Sequence, residues 1–326
     1  MPQVTLVEAV NLALARAMAD DAEVLVLGQD VGTDGGVFRA TVGLLERFGP
    51  ERVIDTPLAE QLITGMTIGM AAEGLKPVAE IQFSGFGYVC IDQILNHAGR
   101  MRHRTQGRIS CPMVMRTPCG AGIHPPEHHS ESPEAMFAHI PGIRVVYPSS
   151  PRRAYGLLLA AIQDPDPVVF LEPTRLYRLF KEEVEDDAKP LALDTCFTLR
   201  EGTDITLVTW GAMVHETLQV ASRLEQEGLF AEVIDVATLR PLDMDTILAS
   251  VAKTGRCVVV TEAPRSGSFA AEIAANLAEH GLLSLFAPVT RVASYDVVVP
   301  LSRLEAAYMP GTERILDAVR KCLAFG

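Results

Sequence analysis

The sequence has little of what marks a membrane, nucleic-acid-binding or secreted protein. No apolar run approaches the roughly 20 residues of a membrane-spanning helix. Basic residues are few: 28 lysines and arginines stand against 41 aspartates and glutamates, which leaves a net charge of −13. Such a charge disfavours nonspecific contact with nucleic acid or with anionic lipid. We therefore expect small molecules or other proteins as partners.

Cysteine is also sparse. The 326 residues contain six cysteines, with no C-x-x-C pair and no histidine at a zinc-ligand spacing. The sequence therefore lacks the signs of a zinc site and of a disulfide framework, which favours a reducing compartment. Its beginning, MPQVTLVEAVNLAL, has a helical pattern without the charged-then-apolar order of a secretory signal. We expect a cytoplasmic protein.

Two glycine-rich segments fall short of nucleotide-binding motifs. Segment 32–38, GTDGGVF, lacks the lysine and the spacing of a P-loop, so we expect a flexible surface turn. Segment 84–90, SGFGYVC, has Cys90 where a dinucleotide fingerprint needs its third glycine. Thr105, about 20 residues on, is not the acidic residue that would hold a ribose. A Rossmann nicotinamide site is therefore rejected.

Hydrophobic periodicity predicts alternating helices and strands in the first part of the chain. The predicted helices are 4–19, 41–48, one that begins at 57, 91–105 and 152–163. The predicted strands are 24–28, 53–55, 77–83, 112–116, 143–147 and 168–172. Because helix and strand alternate, we expect an α/β fold with a parallel sheet covered on both faces.

Near Lys181 the composition changes. The segment KEEVEDDAKPLALD is acidic, contains proline and has no helical stripe, so it predicts a linker. We place a first domain at 1–185, the linker at 186–200 and a smaller second domain at 201–326. The strands predicted in the second domain are 205–210, 231–236, 256–261 and 289–293. Its predicted helices are 214–227, 243–252, 269–279 and two more after Pro300 and Gly311.

The stretch 53–94 holds the main candidate site. Thr56 is predicted to cap the helix that follows strand 53–55 and Pro57 to open it, which places Glu60 in the first turn. Ligands of parallel α/β sheets bind where strands meet helices in this way. A first-turn glutamate also interacts favourably with the helix dipole and needs no ligand. Both interpretations of Glu60 remain open on pattern alone.

Two other segments have a functional and a structural interpretation. Loop 117–132 contains three histidines and is too long for a mere connection. Its pair His128 and His129 would suggest a metal, but no third ligand supports zinc. The basic turn at 100–104 either complements a helix C-terminus or contacts a second subunit.

Several long segments resemble one known family. They are DTPLAEQLITG, AEIQFSGFGYVCIDQI, HHSESPEAMFAHIPG and PSSPRRAYGLLLAAIQDPDPVVFLEP. They resemble the beta subunit of the thiamine-diphosphate-dependent 2-oxoacid dehydrogenases, and IHPPEHHSES and WGAMVHETL are most similar to the pyruvate-specific members. The resemblance covers essentially the whole chain. It implies two domains, an N-terminal pyrimidine-binding parallel-sheet domain and a C-terminal transketolase-like α/β domain.

The resemblance also implies roles for individual residues. Glu60 would share a proton with the aminopyrimidine of thiamine diphosphate, Phe86 would stack on that ring, and Leu58 would line the same pocket. Desolvation favours the neutral, proton-donating form of a carboxyl group, whereas the helix N-terminus favours the ionised form. Small residues at 84 and 85 are expected to leave room for the ring beside Phe86, although simple core packing would also explain a phenylalanine here.

His129 matches the family histidine at the active-site entrance, which assists substrate binding and acylation of a lipoyl group, and His128 ranks second. A histidine suits this work because its charge changes near neutral pH. The family also often holds a structural potassium ion, mostly on backbone carbonyls. The matching positions are Met113, Val114, Ala161, Asp164 and Asp166.

The sequence lacks the Gly-Asp-Gly segment through which such enzymes hold the diphosphate and magnesium. The resemblance therefore implies an alpha subunit that holds Mg²⁺ and shares the cofactor. It also implies an α2β2 heterotetramer with active sites at the α/β interfaces and the second domain in β/β contacts. The implied reaction is oxidative decarboxylation of pyruvate with acetyl transfer to the lipoyl groups of a dihydrolipoyl acyltransferase.

Other functions remain open at this point. The chain could belong to a branched-chain enzyme that uses 2-oxoisovalerate, to an acetoin dehydrogenase or to a half-transketolase, since all share the glutamate and aromatic positions. In a different class, it could be a noncatalytic scaffold that docks the acyltransferase. A scaffold would not need Glu60, Phe86 and His129 together.

Overall fold

The computed structural model describes residues 3–325, which form two open sheets flanked by helices and a separate two-stranded ladder. We call residues 3–183 the first half and residues 197–325 the second half. The first half contains β1 (Gln3–Val4), α1 (Leu6–Asp20), β2 (Val24–Gly28), α2 (Leu44–Phe48), β3 (Val53–Asp55), α3 (Glu60–Ala72), β4 (Lys76–Glu80), α4 (Ile91–Asn96), α5 (Met101–Arg104), β5 (Val114–Cys119), α6 (Glu134–Ala138), β6 (Arg144–Val146), α7 (Pro151–Gln163), β7 (Val168–Pro173) and β8 (Glu182–Glu183).

The second half repeats the alternation of strand and helix. It contains β9 (Phe197–Arg200), β10 (Ile205–Thr209), α8 (Met213–Gln226), β11 (Ala231–Asp235), β12 (Thr238–Arg240), α9 (Met244–Thr254), β13 (Cys257–Pro264), α10 (Phe269–His280), β14 (Thr290–Ser294), α11 (Ser302–Tyr308) and α12 (Thr312–Leu323). Short 3₁₀ segments lie at Ser84–Cys90, Ala98–Arg100, Glu127–His129, Thr174–Leu176 and Leu282–Ser284.

Both large sheets are parallel except at one edge. The seven-stranded sheet has the order β12-β6-β7-β5-β4-β2-β3, and the five-stranded sheet has the order β14-β13-β10-β11-β9. The antiparallel pairs are β12 with β6 and β9 with β11. Helical crossovers return the chain to the end of the sheet at which the previous strand began, so the strands they connect are parallel. The predicted α/β fold class is confirmed.

The two halves share strands and a core. Strand β12 comes from the second half but completes the edge of the first sheet. One apolar cluster runs through both halves, and in it Trp210 meets Phe269 edge to face with ring centroids 6.0 Å apart. The last four residues of the predicted linker form β9. The domain division at 185 and 201 stays a prediction.

Two local predictions were wrong. Helix α3 begins at Glu60 with Ala59 as its N-cap, and the backbone N–H of Thr56 instead donates to the carbonyl of Gly28 in β2 at 2.9 Å. The predicted helix 91–105 is broken after Asn96 into α4, a 3₁₀ turn and α5. At the break Gly99 packs so closely that a Cβ would lie 2.7 Å from the carbonyl oxygen of Pro141.

Among the described residues, no helix is both long and apolar enough to cross a membrane.

Candidate active site

The predicted site residues lie at the carboxyl ends of three parallel strands. Glu60 follows β3, Phe86 follows β4, and the histidine pair follows β5. The ends of β3, β2 and β4 are level, since Gly28 pairs with Asp55 on one side and with Glu80 on the other. Strand β5 runs three residues further, because Glu80 pairs with Arg116 and β5 ends at Cys119. Sheet order therefore brings segments distant in sequence to one edge, where parallel α/β sheets bind ligands.

Glu60 is the first residue of α3 and is half-buried. Within residues 3–325, no group donates a hydrogen bond to its carboxylate. Its backbone carbonyl accepts from the Thr64 hydroxyl at 2.9 Å and from the Cys90 thiol at 3.5 Å. Burial raises the pKa of Cys90 to about 11, so this thiol remains a donor. The start of α3 is thereby attached to the segment that carries Phe86.

Phe86 lies in the 3₁₀ segment Ser84–Cys90 and is half-buried beside the core. Its ring centroid is 5.6 Å from that of His128 and 5.3 Å from that of His129. The structure therefore brings the aromatic residue and both histidines together. Leu58, two residues before Glu60, is 66% exposed.

His129 is enclosed on two sides. Its ring centroid lies 4.1 Å from Phe83 and 4.1 Å from His128, and its Nδ1 is buried without a hydrogen-bond partner among residues 3–325. Burial, and then the neighbouring His128, lower the pKa of His129 below its ordinary value. The ring is therefore neutral near pH 7 and able to accept a proton.

The third loop histidine does not join this pair. His124 instead contacts Glu305 of the second half. Across the described part of the chain, no cluster of three or more His, Cys, Asp or Glu residues could hold a metal ion. The three histidines thus form no common metal site in this structure.

Gly85 lies directly against the backbone of the histidine segment. A Cβ at this position would overlap the carbonyl oxygen of His128. The small residue therefore makes room for the backbone of the histidine segment, and the space for a ring beside Phe86 stays a prediction. This contact joins two loops distant in sequence, so pattern could not reveal it.

Glu131 attaches the histidine loop to the segment of Phe86, and sequence reasoning missed it. Its carbonyl accepts from the Gly120 N–H and from the Ser84 hydroxyl, both at 2.9 Å. Its carboxylate accepts from the Tyr88 hydroxyl at 3.1 Å. The base of the loop is thereby closed and held beside Phe86.

The glycine-rich segment 32–38 is a partly exposed turn, as predicted, and it is tied to the end of β3. The Gly32 N–H and the Thr33 hydroxyl each donate to the carboxylate of Asp55 at 2.6 Å. Gly36 lies against Glu80, since a Cβ there would be 2.8 Å from its Oε1. The segment thus covers the strand ends beside the site.

Beneath the site lies a buried charge network that the sequence reasoning also missed. Arg116 donates two hydrogen bonds of 2.7 Å to Glu172 and one to Glu80, and the Tyr177 hydroxyl donates to Glu172. Burial raises the pKa of Glu80. In the sequence these residues are charges within otherwise apolar strands, and this pattern could have revealed the network. This network joins β4, β5 and β7 below the site.

Two further candidate positions are held by ion pairs. In the basic turn, Arg102 pairs with Asp166 at 2.7 Å and Arg104 donates to the carbonyl of Asn96 at 2.6 Å. Arg144 pairs with Asp164 at 2.7 Å. Both carboxylates of the expected potassium loop are thus engaged by arginines. A potassium ion held by backbone carbonyls stays a prediction, as does a subunit contact at the turn.

Comparison with known proteins gives matches over nearly the whole chain. The family model "Transketolase, pyrimidine binding domain" matches residues 2–179, and "Transketolase, C-terminal domain" matches residues 195–315. A pyruvate dehydrogenase E1 component subunit beta of Bacillus subtilis (strain 168) is 48% identical over 325 residues, which is 100% of both chains. The protein of the same name from Acholeplasma laidlawii is 47% identical and covers 98% of each chain.

Solved structures agree on the fold. A split-gene transketolase, described as an inactive beta4 tetramer, superposes with a TM-score of 0.81 at 22% identity and covers 99% of both chains. A transketolase from Pichia stipitis has a TM-score of 0.72 at 14% identity, with 100% of this chain and 46% of that one covered. At such identities the likeness establishes the architecture alone.

Proposed function

The chain belongs to the family of pyruvate dehydrogenase E1 component beta subunits, built from two transketolase-type domains, and from this we propose that it is the beta subunit of a pyruvate-decarboxylating component. The proposed reaction is thiamine-diphosphate-dependent oxidative decarboxylation of pyruvate with acetyl transfer to lipoyl groups. The main support for the proposal is that Glu60, Phe86 and His129 lie at one edge of the sheet in a chain of this family.

The residues present fit thiamine diphosphate. The half-exposed ring of Phe86, the unpartnered carboxylate of Glu60 and the exposed Leu58 offer stacking, proton-sharing and apolar contact at one edge. Phe86 and Leu58 would orient the aminopyrimidine and Glu60 would hold a proton at its ring nitrogen. The bound cofactor supplies the electron sink for decarboxylation.

We expect an alpha subunit to complete this site. The chain has no Gly-Asp-Gly segment for the magnesium diphosphate. Apolar side chains lie exposed around the site, with Leu58 at 66%, Leu62 at 49% and Val89 at 54%. Exposed apolar surface beside a half-open site is typical of an interface. An alpha subunit seated here would bury Glu60 and supply Mg²⁺ in an α2β2 assembly.

His129 is proposed to act at the entrance of the site. Its lowered pKa keeps the ring neutral, so it would accept the proton that the substrate-derived hydroxyl group loses as it becomes the acetyl carbonyl, and pass it to the sulfur that leaves when the lipoyl disulfide opens. The disulfide takes up the two electrons of the oxidation: one of its sulfurs is acylated and the other becomes a thiol. His128, which is exposed beside it, would contact the incoming lipoyl domain of the dihydrolipoyl acyltransferase.

Co-expression with the alpha subunit tests the proposal. The chain alone and the assembled complex are assayed with thiamine diphosphate, Mg²⁺ and either pyruvate or 2-oxoisovalerate. We expect activity only in the complex, with pyruvate preferred. A preference for 2-oxoisovalerate would overturn the substrate, and a well-formed complex inactive on every 2-oxoacid would overturn the function in favour of a docking scaffold.

A further inference from the structure

The loop that carries the catalytic histidine is attached at both ends to the second half of the chain. We define the histidine loop as residues 120–133, between β5 and α6. Its tip contacts Phe83 and Phe86 of the first half. Its start, however, is held by two carboxylates of the second half, and its end by a carboxylate that accepts hydrogen bonds from the second half. These attachments are not part of the site described above.

The start of the loop is held by two glutamates of the second half. The N–H of Ala121 donates to Oε1 of Glu262 at 2.5 Å, and the N–H of Gly122 donates to Oε1 of Glu305 at 2.8 Å. Glu305 also contacts His124. Because backbone N–H groups are the donors, these bonds fix the path of the chain itself.

Glycine is needed for this approach. Gly120 has φ +86, and a Cβ there would lie 2.5 Å from Oε1 of Glu262. Gly122 has φ +102, and a Cβ there would overlap Arg175. Positive φ values are readily adopted by glycine alone. The loop therefore begins with residues that let its backbone reach the two carboxylates.

The end of the loop is held through the glutamate that follows it. Glu134, the first residue of α6, accepts from the Trp210 indole N–H and from the Thr261 hydroxyl, both at 3.3 Å. Trp210 and Thr261 belong to the second half. The loop is therefore attached to the second half on both sides of its histidine pair.

All three glutamates are buried, with relative exposures of 1% for Glu134, 5% for Glu262 and 2% for Glu305. Burying a carboxylate is costly unless hydrogen bonds or an opposite charge compensate. Near Glu262 the charged side chains are Arg175, Glu134 and Glu216, and burial raises the pKa of Glu262 to about 7. Burial also raises the pKa of Glu134. Because these carboxylates are buried, water does not stabilise them. Their contacts within the protein do.

We propose that Glu134, Glu262 and Glu305 are positioning residues through which the second half holds the histidine loop, and with it His129, in place for acetyl transfer. We call these three the glutamate clamp. The inference rests on the proposed function, because it specifies how that site is held. The second half thereby contributes to catalysis by holding the loop. Through these contacts, none of the side chains of the second half reaches the strand ends that carry the site.

Glu305→Ala tests the clamp in the assembled α2β2 enzyme. This change removes the acceptor of the Gly122 N–H and the partner of His124. We expect amide hydrogen exchange in residues 120–133 to rise by about 10-fold, the effect of losing a charge-assisted hydrogen bond, with the strands of the first sheet unchanged. Acetyl transfer to a free lipoyl domain should fall several-fold more than decarboxylation measured with a dye acceptor.

Matched variants separate positioning from general damage. Glu305→Gln keeps an acceptor oxygen and should restore most of the protection, whereas Glu313→Ala, in an exposed pair with Arg223, should change neither readout. Where Glu305→Ala does not assemble, the exposed His124→Ala gives the same readouts with a smaller effect in the same direction.

Two outcomes would overturn the clamp: unchanged exchange in 120–133, or an equal loss of dye-coupled and lipoyl-coupled rates. Hydrogen exchange needs no turnover, so the clamp can fail while the wild-type enzyme is active. Conversely, a wild-type complex without 2-oxoacid activity overturns the proposed function and leaves the exchange result to decide the clamp.

Discussion

At the scale of single residues, Gly85 decides where the histidine segment lies. Gly85→Ala places a methyl group onto the carbonyl of His128, so the two loops must move apart. We expect a loss of about 1–3 kcal/mol in the free energy of unfolding, the usual cost of overpacking, and reduced acetyl transfer. Thermal unfolding and activity of the assembled enzyme check this.

Gly69→Ala is the matched control for that change. Gly69 lies in α3, and a Cβ there would meet nothing within 4 Å. It should leave stability unchanged or raise it by up to about 1 kcal/mol, since glycine weakens a helix interior. Equal behaviour of the two variants would contradict the close approach.

The pH behaviour of His129 gives a second test at this scale. Burial and then His128 lower its pKa, so His128→Ala should raise the pKa of His129 while burial still holds it below its ordinary value. Histidine proton NMR titration measures this shift. An unchanged or lower pKa would show that His128 exerts no charge effect on His129.

The same shift fixes the sign of the stability change. Because the folded pKa of His129 lies below its unfolded value, protons bind the unfolded chain more readily. The stability that the neutral ring contributes is fully present above the unfolded pKa. It is lost as the pH falls through the folded pKa.

The sequence placed the main site residues correctly on the strand ends, but their roles stay predictions. Glu60, Phe86 and the histidine pair follow strands that periodicity detects, and parallel order then brings them to one edge. Glu131 and Gly85 act through contacts between segments more than 40 residues apart. Such contacts leave no local pattern, so only the structure reveals them.

At the scale of elements, the Arg116 network should hold the sheet together beneath the site. Arg116→Met leaves Glu80 and Glu172 buried with like charges and no cation. Breaking a buried pair in this way costs about 3–5 kcal/mol. We expect a marked fall in the unfolding temperature of the assembled enzyme.

The control for this change is Arg102→Met, which removes a partly exposed pair with Asp166. Exposed pairs contribute at most about 1 kcal/mol, so its unfolding temperature should barely move. Similar shifts in the two variants would show that the buried network contributes no more than a surface ion pair.

Elements with a clear apolar pattern were predictable, and elements that depend on a tertiary contact were not. The predicted strands 24–28 and 53–55 match β2 and β3, because apolar strands bounded by turns have a clear pattern. Strands β1, β8 and β12 have two or three residues each. They exist because a partner strand lies beside them, and the break in helix 91–105 likewise depends on a tertiary contact at Gly99.

At the scale of the whole molecule, the second half is part of the site's support. It contributes β12 to the first sheet, a share of the core and two residues of the glutamate clamp. The sequence predicted two α/β units in succession, and the structure adds their interlocking. The edge that carries Glu60 also carries the exposed Leu58, which agrees with the alpha-subunit contact proposed above.

The most direct test of the account is the rate of pyruvate decarboxylation by the assembled enzyme carrying Glu60→Gln. The matched control is Glu73→Gln, which makes the same change at an exposed position at the other end of α3. If Glu60 shares a proton with the cofactor, Glu60→Gln should lower the rate by about 100-fold or more, with assembly intact and the control near wild type. A Glu60→Gln complex as active as the wild type would contradict the account.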